Sequence, residues 1–127
     1  MMEHSGGLTH VAPVFRVADL ARSLSFYCEQ LGFEVEFTYQ GFYASVLRDG
    51  CHIHLKSERP VGRDQEAFDA AEHIDASFGV RDAQTLASRF ASAGAQFSVP
   101  LRTMPYGKEF YVKDPDGHVL AFVQPLG

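Results

Sequence analysis

The sequence predicts an α+β fold made of two tandem βαβββ modules. Three observations carry this. The two halves of the chain resemble each other at an offset of roughly half its length. Each half alternates apolar and polar residues with strand period and then switches to helical spacing. Asp-Gly and Gln-Gly pairs punctuate the runs as hairpin turns do. The expected organisation is one domain over residues 1–127, with a first module at 9–57, a linker at 58–72 and a second module at 73–125.

The repeat can be read residue by residue. Val17, Asp19, Leu24, Phe26, Leu31, Gly32 and Phe33 are matched in order by Val80, Asp82, Leu86, Phe90, Ala93, Gly94 and Phe97. Asp19 to Asp82 is an offset of 63, and Asp49-Gly50 to Asp116-Gly117 is 67. Two copies make one pseudo-symmetric pair, because a solenoid needs three or more.

In the first copy, Val11, Pro13, Phe15 and Val17 form the apolar side of a strand. Asp19 then caps a helix with Leu20, Leu24, Tyr27, Cys28 and Leu31 on its apolar stripe, and Gly32 ends it. Three strands follow at 33–39, 42–48 and 51–56. The linker carries one helical turn at 66–71. The second copy repeats the plan with a strand at 74–80, a helix at 82–93 and strands at 97–101, 109–113 and 118–124. The stretch 103–108 between the last hairpin strands has no periodicity and reads as a loop able to cover a cavity.

Composition narrows the function. The chain has 46% hydrophobic and 21% charged residues, and 11 Lys+Arg stand against 16 Asp+Glu for a net charge of −5. An acidic chain without a basic cluster excludes a nucleic-acid surface. No apolar run approaches the length of a membrane span. A chain of this size buries roughly 65–70% of its unfolded surface, so it needs no disulfide. Cys28 and Cys51 read as reduced core-facing thiols in a cytoplasmic protein. No nucleophile elbow or phosphate-cradling glycine pattern is present.

Two such modules are expected to make a curved mixed sheet with the helices on its convex side and a concave face left open, and strand alternation says what lines that face. His10, Ala12, Val14 and Arg16 point inward from the first strand, as do His52, His54 and Lys56 from the fourth. His73, Asp75, Ser77, Glu109, Tyr111, Val119 and Ala121 do so in the second copy. Tyr39, Phe42, Tyr43 and Tyr106 fall at inward or rim positions, where flat rings stack on a planar ligand. His118 follows a turn and is expected at the surface, and His4 belongs to a mobile leader.

The run Phe15-Arg16-Val17-Ala18-Asp19-Leu20-Ala21-Arg22-Ser23, with Phe26-Tyr27, Leu31-Gly32-Phe33 and Lys113-Asp114-Pro115-Asp116-Gly117-His118, resembles the vicinal oxygen chelate superfamily. That group includes glyoxalases, fosfomycin-inactivating transferases, extradiol dioxygenases and bleomycin resistance proteins. The resemblance covers nearly the whole chain and implies the glyoxalase/bleomycin resistance fold. The metal-using members place four ligands, mostly His and Glu, at positions that here correspond to Ala12, His54, Asp75 and Ala121. Two of those are methyl side chains.

The resemblance therefore implies a metal-free binding protein of the bleomycin-resistance type, sequestering a planar or cationic ligand and needing no cofactor. The expected partners are that ligand and a second copy of the chain, in a C2 homodimer whose clefts are shared between subunits. The candidate ligand-binding residues are His52, His54, Asp75, Tyr43, Tyr106, Tyr111 and Glu109. Two alternatives stand beside it. One is a metal-dependent lyase, isomerase, transferase or dioxygenase with one divalent ion per cleft at a displaced site built from His54, Asp75 and His10. The other is a metal-free enzyme in which His54 is general acid or base, oriented by Asp75.

Overall fold

The structure, a computed structural model, describes residues 5–127. His4 lies outside the described residues. The first module comprises β1 (Val14–Val17), α1 (Leu20–Ser25), β2 (Glu34–Tyr39), β3 (Tyr43–Arg48) and β4 (Cys51–Ser57). A short linker helix, α2 (Gln65–Ala70), leads to β5 (Ala76–Gly79), α3 (Ala83–Ser92), β6 (Gln96–Met104), β7 (Gly107–Lys113) and β8 (Val119–Pro125). The eight strands divide into two four-stranded mixed sheets, ordered β1-β4-β3-β2 and β5-β8-β7-β6.

The repeat holds at the level of strand register. Phe15 lies opposite Leu55 in the parallel β1/β4 pair, and Phe78 lies opposite Phe122 in the parallel β5/β8 pair. Both pairs preserve the offsets of 63 and 67 read from the sequence. The helix starts are equivalent too: the Asp19 carboxylate accepts from the Arg22 N–H and that of Asp82 from the Thr85 N–H, each at 3.0 Å. Each cap satisfies an N–H that helix geometry leaves without a partner.

The helices differ after the first turns. Helix α1 widens into a π-helical turn over Phe26–Gln30, closed by the Leu31 N–H on the Phe26 carbonyl at 3.3 Å. Phe26 and Tyr27, at the start of this turn, are both buried in the core.

The apolar faces of both sheets and both long helices meet in one core. Phe15, Val17, Tyr27, Leu31, Ile53 and Leu55 from the first module pack with Phe90, Phe110, Val112, Leu120 and Phe122 from the second. Neither module is an independent unit, and the opposite, concave faces are left outside this core. A smaller cluster of Val99, Tyr111, Val119 and Ala121 sits on the second concave face.

Four local expectations are corrected. The first strand begins at Val14, leaving Val11 84% exposed on an extended lead-in. Residues 103–108 form a tight β6/β7 hairpin, with Met104 paired to Gly107, so they are no mobile cover. Cys51 is exposed at the edge of an open cleft toward α3, where the helix layer does not close over it. His118 is buried. Its ring stacks on Phe15 at 4.5 Å and its Nδ1 lies 2.7 Å from the Asp114 carboxylate.

Candidate functional site

The candidate residues separate into two half-sites, one on each concave face. On the first, strand β4 presents His52 and His54, and β3 presents Tyr43 and Ser45 beside them. The Tyr43 hydroxyl lies 2.7 Å from His54 Nδ1, while Ser45 donates to Glu36 at 2.7 Å. Glu36 also lies 3.3 Å from His52 Nδ1, and the His10 ring rests 4.3 Å from that of His52. The Ser45 hydroxyl, with help from His52, holds the Glu36 carboxyl below its ordinary range.

Phe37 joins this face because of a bulge. The β2/β3 register shifts between Val35 and Phe37, so Phe37 sits opposite Ser45 and its ring meets His54 edge-on at 5.9 Å. With Tyr39, Phe42 and Tyr43 it makes a row of partly exposed rings. Period-two reading misses Phe37, since an inserted residue reverses parity and leaves no mark in composition.

Partial burial pushes the His54 imidazole below its ordinary value of 6.5, and the neighbouring His52 and His10 add to this against the opposing pull of Glu36. His54 is therefore neutral at neutral pH. The unfolded chain binds its proton more readily, so the stability tied to neutral His54 is present above about pH 6.5 and lost as pH falls through the lower folded value. Urea melts at neutral pH and about two units lower should show the wild type losing more stability than His54→Gln; parallel losses would contradict the assignment.

The second half-site centres on Glu109, which is 2% exposed. Arg102 donates to its Oε2 from Nε at 2.8 Å and from Nη2 at 2.6 Å, and the Tyr106 hydroxyl donates to Oε1. The other edge of the guanidinium clasps Glu72 at 2.8 and 3.0 Å. Two carboxylates thus share one arginine, leaving one negative charge in excess. Acceptance by Glu109 pushes the Tyr106 phenol up, and burial followed by Glu109 does the same for Tyr111, so both remain protonated donors. Sequence parity finds Glu109 and Tyr111 but not Arg102 or Glu72, whose roles come from β6 and the end of α2 lying side by side.

Asp75 is engaged by partners other than His54. Arg63 reaches both its oxygens at 3.1 and 3.2 Å, and Oδ2 accepts from the Val119 N–H at 2.8 Å. It borders an open cleft of about 560 Å³ between β1 and the linker, lined by Val14, Arg16, Arg63 and Phe68. No hydrogen bond or ion pair connects the His52/His54 cluster with Asp75 or Glu109 among the described residues. Of the candidates, His52, His54 and Tyr43 come together on one face. Glu109, Tyr106 and Tyr111 come together on the other.

Paired mixed sheets of this kind, each a βαβββ module, define the fold class of the chain. The chain belongs to the glyoxalase/bleomycin resistance protein/dioxygenase superfamily, whose sequence profile matches residues 7–122. Among solved structures it is similar to the bleomycin-binding protein from bleomycin-producing Streptomyces verticillus complexed with copper(II)-bleomycin. That similarity has a TM-score of 0.71 and 26% identity, and covers 94% of this chain and 98% of the other. A glyoxalase/bleomycin resistance protein/dioxygenase domain from Frankia sp. EAN1pec gives a TM-score of 0.69 and 26% identity over 94% and 98%. TnmS3, an antibiotic-binding protein from Streptomyces sp. CB03234, gives 0.74 and 19% over 97% and 100%. None of the curated proteins matches the chain. Among the described residues, no helix is long and apolar enough to cross a membrane.

Proposed function

We propose that this protein binds a small planar or cationic molecule without a metal, and acts by sequestering it in the cytoplasm. The observation that carries this reading is the pair of complementary half-sites outside the common core. One bears rings and neutral imidazole, the other a buried carboxylate and phenols. In a C2 homodimer the His52/His54 face of one protomer meets the Glu109/Tyr111 face of its partner, giving two equivalent clefts. The excess negative charge of the Glu72–Arg102–Glu109 group and the net charge of −5 favour a cation. Two similar proteins bind antibiotics, one of them bleomycin.

The donors at the four positions equivalent to the family's metal ligands do not make up a divalent-ion site. Ala12 and Ala121 offer no ligand atom, Asp75 is spent on Arg63 and the Val119 N–H, and His54 keeps only Nε2 uncommitted. Three protein ligands are the ordinary minimum. The same engagement of Asp75 removes it as the orienting group for His54 in an acid–base pair.

Calorimetric titration with metal-free bleomycin and with a planar cationic dye, with and without chelator, tests the reading. At least one probe is expected to bind saturably, about one molecule per protomer, with an affinity the chelator does not change. Sedimentation should give a dimer, and Glu109→Gln, which removes the excess negative charge of the Glu72–Arg102–Glu109 group, should weaken the cationic probe by about tenfold. Binding of neither probe, binding abolished by chelation, or a monomer that binds fully would overturn it.

A further inference from the structure

The repeat creates two equivalent junctions between modules, and they are filled differently. At one, the turn 114–118 of the second module closes on α1. The Asp116 carboxylate accepts from the Ala18 N–H at 3.1 Å, from Arg22 at 3.3 Å and from Ser23 at 3.4 Å, and its side chain is 3% exposed. His118 covers Phe15, which is 6% exposed.

At the other junction the equivalent positions are Asp49, Cys51 and Phe78, facing α3. The Asp49 side chain is 88% exposed and pairs only with Arg48, at 3.5 Å, among the described residues. Cys51 has no ring to lay on Phe78, which stays half-buried where its counterpart is covered. A cleft of about 600 Å³ results, edged by Arg48, Cys51, Arg81, Leu86 and Arg89. Its deep end is an apolar notch of about 70 Å³ against Phe78, Phe90 and Phe122.

The charges at its mouth are unequal in availability. Asp82 is committed to Thr85, at 3.0 Å to its N–H and 2.7 Å to its hydroxyl, and Arg48 is held by the Leu31 carbonyl at 2.6 Å. Arg81 and Arg89 make no ion pair among the described residues. An apolar floor with two uncommitted guanidinium groups above it suits an aromatic ring bearing an acid, since guanidinium recognises carboxylate or sulfonate through paired N–H donors.

We propose that this cleft between the β3–β4 turn and α3 is a second ligand site, which takes a small aromatic anion with its ring on Phe78 and its acid group between Arg81 and Arg89. The site is independent of the concave half-sites and selects the opposite charge. It exists because position 51 carries a thiol where the other module carries imidazole.

Titrating naphthalenesulfonate into isotope-labelled protein while following backbone amide shifts tests this. Saturable shifts are expected at Gly50, Cys51, Gly79 and Arg81, with none at His54 or Glu109. Cys51→His supplies the ring that fills the other junction and should weaken binding by about tenfold or more. The double variant Arg81→Gln/Arg89→Gln should do likewise while unfolding at the wild-type temperature, since both side chains are exposed. The double variant decides the matter if Cys51→His does not fold. Wild-type affinity in the double variant, or shifts confined to the concave faces, would overturn the proposal.

Discussion

Asp114→Ala is expected to destabilise the protein by about 3–5 kcal/mol, because it leaves several buried donors without an acceptor at once. The Asp114 side chain is fully buried. Oδ1 accepts from the Asp116 and His118 N–H groups, each at 2.9 Å. Oδ2 accepts from the Tyr27 hydroxyl at 2.9 Å and lies 2.7 Å from His118 Nδ1. Burial, then the charge of Asp114, pushes the Tyr27 phenol well above its ordinary value, so Tyr27 is a permanent donor. This group ties α1 of the first module to the last turn of the second. Urea denaturation gives the loss directly, and Asp49→Ala at the open junction is the control. A change within about 0.5 kcal/mol is expected there, and an equally small loss for Asp114→Ala would show that its buried donors find other acceptors.

Gly107→Ala is the second large effect, with an expected cost above about 3 kcal/mol from steric overlap and a disfavoured backbone angle together. Gly107 opens β7 at φ +147° and pairs with Pro125 across the β7/β8 edge. A Cβ there would press into the Gln124 carbonyl oxygen and come within 3.0 Å of the Pro125 Cα, and both are backbone atoms that cannot step aside. The strand end would have to separate, taking with it the turn that presents Tyr106 to Glu109. Thermal unfolding together with the tyrosine environment in near-ultraviolet dichroism measures both parts. Gly41→Ala is the comparison: its added Cβ meets nothing within 4 Å, so only the strain of φ +73° remains. Gly107→Ala should be clearly the worse of the two, and an equal cost would show that the overlap is relieved cheaply.

Much of the architecture is legible in the sequence because it depends on local periodicity. Asp19 and Asp82 before apolar helical spacing, Gly32 and Gly94 after it, and the Asp-Gly turns before β4 and β8 all act within a few residues of themselves. Hence the elements, their order and their repetition can be read one stretch at a time. The inward parity of His52, His54, Glu109 and Tyr111 follows for the same reason, since alternation is a local rule that holds until a bulge interrupts it.

What tertiary structure alone decides is who meets whom. Phe37 reaches the first concave face only through the β2 bulge, and Arg102 becomes the link between Glu72 and Glu109 only when distant segments lie side by side. Position 118 is buried and position 51 exposed although both follow the same Asp-Gly turn. Their environments are set by the opposite module: α1 offers the Asp116 carboxylate an N–H, Arg22 and Ser23, and Phe15 offers His118 a flat surface, whereas nothing comparable closes over Cys51. Local chemistry thus determined the two modules and the residues on their concave faces. Packing between the modules, where the sealing hydrogen bonds join residues 87 to 98 apart in sequence, decided which of two equivalent junctions is sealed and which is left as a cleft.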